Sequence, residues 1–298
     1  MKHTRKLFAF LLIALILVPL ALPAYAASKK PPKLVLLVMQ PGERQQVEGQ
    51  GTWESEHADI ATVTPEGTIE AVAEGYTLIL CRNKKSDVVV RVEVKVGDKA
   101  VPPEIEAAIE TAIAEWVAAD DAPFERYNKY TEWYNAAAYK GFGWCGAFVG
   151  YAMDAAGIEM DKEFRAKNAP PIPDGRLFAV RQASQTKLFE GFESRNRLSN
   201  IPEPGYYIIY GRKGSTPYTH VGLITAVTPM GESVYMLETV EGNLNKRIKR
   251  YAYLYDSLAQ RKDRNIKPLP AEMQTQPEVF NYKYVDNFYV NVFGQTWY

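Results

Sequence analysis

An α+β domain preceded by a small all-β sandwich is the architecture this sequence predicts, and three observations carry the prediction. Between Lys33 and Val96, short apolar segments alternate with turn residues at close intervals, the pattern of a sandwich. From Pro103 the period becomes helical, with Ile105, Ala108, Ile109, Ala112, Ile113 and Trp116 recurring at i, i+3, i+4 and i+7. Beyond Pro202-Glu203-Pro204-Gly205 it returns to strands, and helices followed by an antiparallel sheet make an α+β layout.

The chain opens with a predicted secretory signal over residues 1–26. Lys2, Arg5 and Lys6 form a basic start, Leu7 to Leu20 is apolar, and Ala24-Tyr25-Ala26 supplies small residues for cleavage after Ala26. The apolar run is short for a membrane span and no second one follows, so no stable membrane insertion is expected after cleavage. The expected location is secreted, extracellular or cell-wall associated; an uncleaved anchor is the alternative. Loss of the three cations leaves a net charge of about −3, and without a polybasic block nucleic acid is not an expected partner. Only Cys81 and Cys145 are present, fewer than a disulfide-stabilised secreted chain carries, and both are expected to be free.

In the first unit, residues 33–97, strands are expected at Leu34–Val38, Ile60–Val63, Thr68–Val72, Tyr76–Leu80 and Val88–Val96, with turns at Gln40-Pro41-Gly42-Glu43 and Pro65-Glu66-Gly67. Cys81 reads as a core residue and His57 as a solvated one. Gly97 to Pro103 is a linker. In the second unit, residues 102–298, Pro102-Pro103-Glu104 opens an amphipathic helix over Pro103–Ala119. The aromatic segment Tyr127–Tyr134 is expected to pack against a helix that starts near Cys145 and stops at Gly157. A further helix is expected over Leu177–Phe189, after the proline-rich Asn168–Gly175. Strands are expected at Tyr206–Tyr210, His220–Val227, Ser233–Val240, Arg247–Tyr253 and Asn287–Phe293, with the aromatic residues of Phe280–Tyr298 packing the last of them.

Much chemistry is excluded. Without the signal, two histidines remain, His57 and His220, one in each unit, and no ligand spacing fits zinc, so neither metal nor cofactor is expected. There is no G-x-S-x-G elbow, phosphate loop or dinucleotide fingerprint. Acidic residues such as Glu110 and Glu115 share a solvated helix face, which leaves a glycosidase unsupported. What remains is Cys145 and His220 in one unit.

Cys145 follows the glycine-bearing turn Gly141-Phe142-Gly143-Trp144 and begins a helix, where free N–H groups and the helix dipole favour a thiolate. The same position also suits an ordinary small core residue. His220, in Tyr218-Thr219-His220-Val221-Gly222, stands where a loop enters an apolar strand and can take and return a proton. Val240-Glu241-Gly242-Asn243 ends the next strand. If the chain stays extended there, Glu241 and Asn243 share a face, and either can hold the second ring nitrogen of His220. Trp144 is expected to wall a substrate cleft beside the sulfur, with Tyr134 as a second contact.

Gly51-Thr52-Trp53-Glu54-Ser55, Asp59-Ile60-Ala61-Thr62-Val63 and Gly67–Gly75 resemble a bacterial immunoglobulin-like domain of group 2, which implies a spacer or surface-binding module. Asn128-Lys129-Tyr130 with Trp133-Tyr134, Trp144–Val149, Ala156-Gly157, Pro202–Gly205, Thr219–Gly222 and Val240–Asn243 resemble the CHAP family of cysteine- and histidine-dependent amidohydrolases/peptidases. That resemblance implies a papain-like fold, Cys145 as nucleophile, His220 as general base and acid, and Glu241 and Asn243 orienting His220. It also implies peptidoglycan amide bonds as substrate, cut either between sugar and stem peptide or within the peptides. Tyr206 stands where the family usually has aspartate, and no acidic calcium loop is present. The insert Met160–Ser199 and the tail after Asp256 fit the family less well and are expected to shape the cleft. The rival reading is a non-catalytic surface protein that binds wall polymer with the same two modules. A third keeps the chemistry and changes the substrate to another amide.

Overall fold

The computed structural model describes residues 32–135, 137, 141–162, 177–215, 217–231, 233–259, 265–282 and 287–298. The expected signal segment and the proline-rich stretch Asn168–Gly175 lie outside the described residues.

The N-terminal region fits a sandwich. Its strands are β1 (Lys33–Met39), β2 (Arg44–Gln46), β3 (Thr52–Ser55), β4 (Ala61–Val63), β5 (Thr68–Ala71), β6 (Gly75–Arg82) and β7 (Val88–Val96). They form a four-stranded sheet in the order β1-β7-β6-β3 and a three-stranded sheet β2-β5-β4. Alternation along β7 sends Val90, Val92, Val94 and Val96 inward onto Trp53, Ile69, Ile79 and Cys81. Arg91, Glu93 and Lys95 therefore face outward, yet this face is not bathed in solvent. Glu93 is fully buried against the second half of the chain, accepting from the backbone N–H (2.7 Å) and Nδ2 (2.8 Å) of Asn200. Lys95 Nζ meets Glu203 Oε1 at 2.6 Å.

The second half mixes helices with a sheet. Its helices are α1 (Pro103–Ala119), α2 (Lys129–Tyr134), α3 (Cys145–Ala155) and α4 (Gln185–Ser194). Pro103 sits in the first turn of α1, where its missing N–H costs nothing, and Asp120 ends the helix in the left-handed region at φ 43. Asn128 caps α2, its side-chain oxygen accepting from the N–H groups of Tyr130 and Thr131. The short strands β8 (Met160–Asp161), β9 (Ala179–Val180) and β10 (Leu198–Ser199) precede β11 (Tyr207–Arg212), β12 (His220–Pro229), β13 (Val234–Leu244), β14 (Arg247–Asp256), β15 (Ile266–Pro268) and β16 (Phe288–Gly294). Seven of these form one antiparallel sheet in the order β10-β16-β11-β12-β13-β14-β15, and α1 and α3 pack on it.

One expectation needs correction. The helix expected over Leu177–Phe189 begins only at Gln185, because Phe178, Ala179 and Val180 are all buried and extend as β9 against β8. The tail is built into the main sheet. Its strand β16 lies inside the sheet between β10 and β11, and Trp297 stacks on Tyr298 with ring centroids 4.7 Å apart. The Pro202–Gly205 turn does without the family's aspartate: Tyr206 N–H donates to Glu203 O at 3.2 Å, and the buried Tyr206 hydroxyl donates to Trp297 O at 3.1 Å.

Candidate active site

Cys145 is the first residue of α3, where the opening N–H groups have no carbonyl within the helix to bond. The residue after it must be small. A Cβ on Gly146 would lie 2.6 Å from Gln182 O and 2.7 Å from Ala183 O, so glycine lets that strand of chain cross the helix start. The crossing brings α4 to the site, and Gln185 Nε2 donates to Cys145 Sγ at 2.7 Å.

His220 begins β12, opposite Tyr210 on β11, and Glu241 lies on β13. Their meeting again depends on a missing side chain, since a Cβ on Gly222 would stand 2.6 Å from Glu241 Cγ. His220 Nε2 and Glu241 Oε2 are 2.8 Å apart. The imidazole also interacts with the Cys145 sulfur, each favouring the charged form of the other. Glu241 is fully buried, and its Oε1 accepts from Tyr210 OH (2.5 Å) and Thr239 Oγ1 (2.8 Å). Tyr253 OH lies 2.5 Å from Tyr210 OH and extends the network. A buried carboxylate is tolerable only with such donors. The Tyr210 ring lies nearly parallel to the imidazole at 5.6 Å, and Phe288 meets it edge-on at 6.3 Å, so the ring has little room to turn.

These contacts set the charges. Burial acts to raise the Cys145 thiol, but the hydrogen bond and charge of His220, then Gln185 and the Val221 N–H, outweigh it and hold the thiol below its ordinary value. Burial likewise acts against an imidazolium at His220, yet the bonds to Cys145 and Glu241 push its pKa well up. Both shifts favour a thiolate–imidazolium pair.

Of the residues expected at the site, Cys145, His220 and Glu241 come together. Asn243 does not join them. The sheet register shifts between Glu241 and Leu244, and Asn243 takes the left-handed conformation at φ 64, so the extended geometry that would align it with Glu241 is absent. Its Nδ2 instead lies near Gly143, 3.6 Å from where a Cβ would stand. Trp144 also departs from expectation. It is 1% exposed and stacks on Tyr130 with centroids 5.1 Å apart, so it is a core residue and presents no wall to substrate. Tyr134 is half-buried, its hydroxyl donating to Gln182 Oε1 at 3.3 Å. Gln185, Tyr210, Thr239 and Tyr253 carry no sequence signal for the site. Among the described residues, no group of three or more His, Cys, Asp or Glu could hold a metal ion.

Sulfur, imidazole and carboxylate brought together in this way are the parts from which cysteine hydrolases are built. A family model for the CHAP domain matches residues 115–243, from within α1 to Asn243, a span that includes Cys145, His220 and Glu241 but none of the sandwich. A CHAP domain implies a hydrolase with amidase or peptidase action on peptidoglycan. No curated protein and no solved structure matches this chain. No described helix is long and apolar enough to cross a membrane.

Proposed function

We propose that this protein is a secreted cysteine hydrolase that cuts amide bonds in peptidoglycan, with Cys145 as nucleophile, His220 as proton carrier and Glu241 as the residue that orients His220. The observation that carries this reading is the buried grouping of Cys145, His220 and Glu241, with His220 Nε2 2.8 Å from Glu241 and the sulfur at a helix start. We further propose residues 1–26 as a signal peptide, 33–97 as an immunoglobulin-like domain and 102–298 as a papain-like hydrolase domain.

The Cys145 thiolate attacks the amide carbonyl carbon, and the charge on oxygen develops beside the Cys145 N–H and the Gln185 amide, which turns from sulfur to oxygen. Collapse breaks the C–N bond as the His220 Nδ1 proton passes to the departing amine. The neutral imidazole then takes a proton from water, whose oxygen attacks the thioester and releases the carboxylic acid and the thiol. Glu241 keeps the ring in the tautomer both steps need. Asn243, whose Nδ2 lies beside Gly143, is assigned to the loop before the sulfur and not to the imidazole. A binding module has no use for a thiol held below its ordinary pKa, which favours this reading over a non-catalytic one.

The test is mass spectrometry of muropeptides released from defined peptidoglycan. The mature protein is expected to generate a new carboxyl and a new amine at one bond type, either the sugar–peptide junction or a peptide bond within the stems. Cys145→Ala is expected to release nothing, and equal release by both proteins overturns the proposal.

A further inference from the structure

Helix α4 carries more than the residue that reaches the sulfur. Gln185, Phe189 and Glu193 are spaced four apart, so they follow one another along one face of the helix, about 6 Å per step. The row leads from the Cys145 sulfur into a cavity of about 270 Å³ between the sandwich and the hydrolase sheet. Phe189, Glu193, Tyr218 and Asn291 line it together with Arg91 and Glu93 of β7. The Phe189 and Tyr218 rings stack with centroids 4.4 Å apart, and Tyr218 lies two residues before His220.

The polar lining holds donors as well as acceptors. Arg91 Nε lies 3.4 Å from Glu93, Asn200 Nδ2 donates to the same carboxylate (2.8 Å), and Asn196 Nδ2 donates to Glu56 (2.6 Å). Asn291 is the extra residue of a bulge in β16, since Ile209 pairs with Val292 and Tyr210 with Val290. Asn291 is 4% exposed, and its Oδ1 has no hydrogen-bond partner among the described residues. Glu193 is exposed and adds a carboxylate with no ion pair among the described residues.

We propose that this cavity is a sugar subsite, taking one N-acetylated hexosamine ring of the glycan strand near the amide that is cut, and that the sandwich completes it. A pyranose rim offers hydroxyl and amide groups to Arg91 and Glu193, while its C–H face packs on the aromatic pair. The cavity is near the lower end of ordinary ligand pockets, roughly 300–1,000 Å³, and suits a single ring. The proposal rests on the hydrolase reading above. It makes the N-terminal sandwich part of substrate recognition and not a spacer alone.

The test uses full-length mature protein carrying Cys145→Ala, so that ligand binds without turnover. Calorimetric titration with the N-acetylglucosamine trimer is expected to show binding, weakened about tenfold by Phe189→Ala and several-fold by Glu193→Gln. Glu193 is on the surface, so its variant keeps the fold. With Cys145 restored, both substitutions are expected to raise KM on whole peptidoglycan by similar factors while kcat holds. No binding of the trimer, binding indifferent to both substitutions, or a stem peptide with a free amine binding there in its place would each overturn the subsite. If the wild-type protein cuts no amide, the hydrolase reading fails separately, because the titration does not depend on turnover.

Discussion

Cys81 and Cys145 are both free, both buried, and chemically opposite. Cys81 lies within β6, across from Trp53 on β3 and among the valines of β7. Nothing there stabilises a thiolate, and burial raises its pKa. Cys145 is just as enclosed, and burial pushes it the same way, but His220, Gln185 and a backbone N–H reverse the sign. Burial therefore says little about a cysteine's reactivity. The donors aimed at the sulfur decide it, and these come from α4 and β12, elements remote in sequence from α3.

Substitutions can break this contrast. Cys145→Ala is expected to lower the rate of cell-wall clearing by at least about 10³-fold. Cys81→Ala is expected to leave that rate unchanged and cost about 1–3 kcal/mol of unfolding free energy, measured by denaturant titration. Glu241→Gln keeps the shape and removes the charge that favours the imidazolium, so kcat is expected to fall roughly 10²–10⁴-fold. Asn243→Ala is expected to cost less than about tenfold, and an equal loss at both positions would return Asn243 to the imidazole. Gln185→Ala is expected to lower kcat about 10²–10³-fold with KM little changed, whereas a purely structural role would show as lost stability at constant kcat.

How much of this was legible in the sequence depended on whether the signal was local. The α1 boundaries follow from Pro102-Pro103 and the i, i+3, i+4 apolar spacing, and the match to Pro103–Ala119 is complete. The strands around His220 and Glu241 were readable from their alternation and flanking turns. Gln185 was not, because it lies 40 residues from Cys145 and is positioned by a chain crossing over Gly146, with no motif of its own. Tyr210, Thr239 and Tyr253 were hidden because only the register of β11, β13 and β14 aims them at Glu241. Trp144 and Asn243 misled through proximity. One sits beside the sulfur in sequence but turns its ring into the core, and the other follows Glu241 by two residues across a bulge. The alternation along β7 gives no sign that Glu93 and Lys95 meet the second half of the chain, since their partners Asn200 and Glu203 are remote in sequence.

The pH dependence of alkylation tests the central claim most directly, because it reads both sulfurs in one sample. The native protein is treated with iodoacetamide across a pH series, and each cysteine is followed by peptide mass spectrometry. A lowered thiol pKa means thiolate is present at lower pH, so Cys145 is expected to react well below pH 8, under the ordinary thiol value of about 8.5. Cys81 is expected to stay unmodified until the protein unfolds. His220→Ala is expected to shift the Cys145 profile upward, since the lowered pKa depends on the imidazolium. A Cys145 that titrates at or above the ordinary thiol value, with or without His220, would contradict the assignment of the activated sulfur.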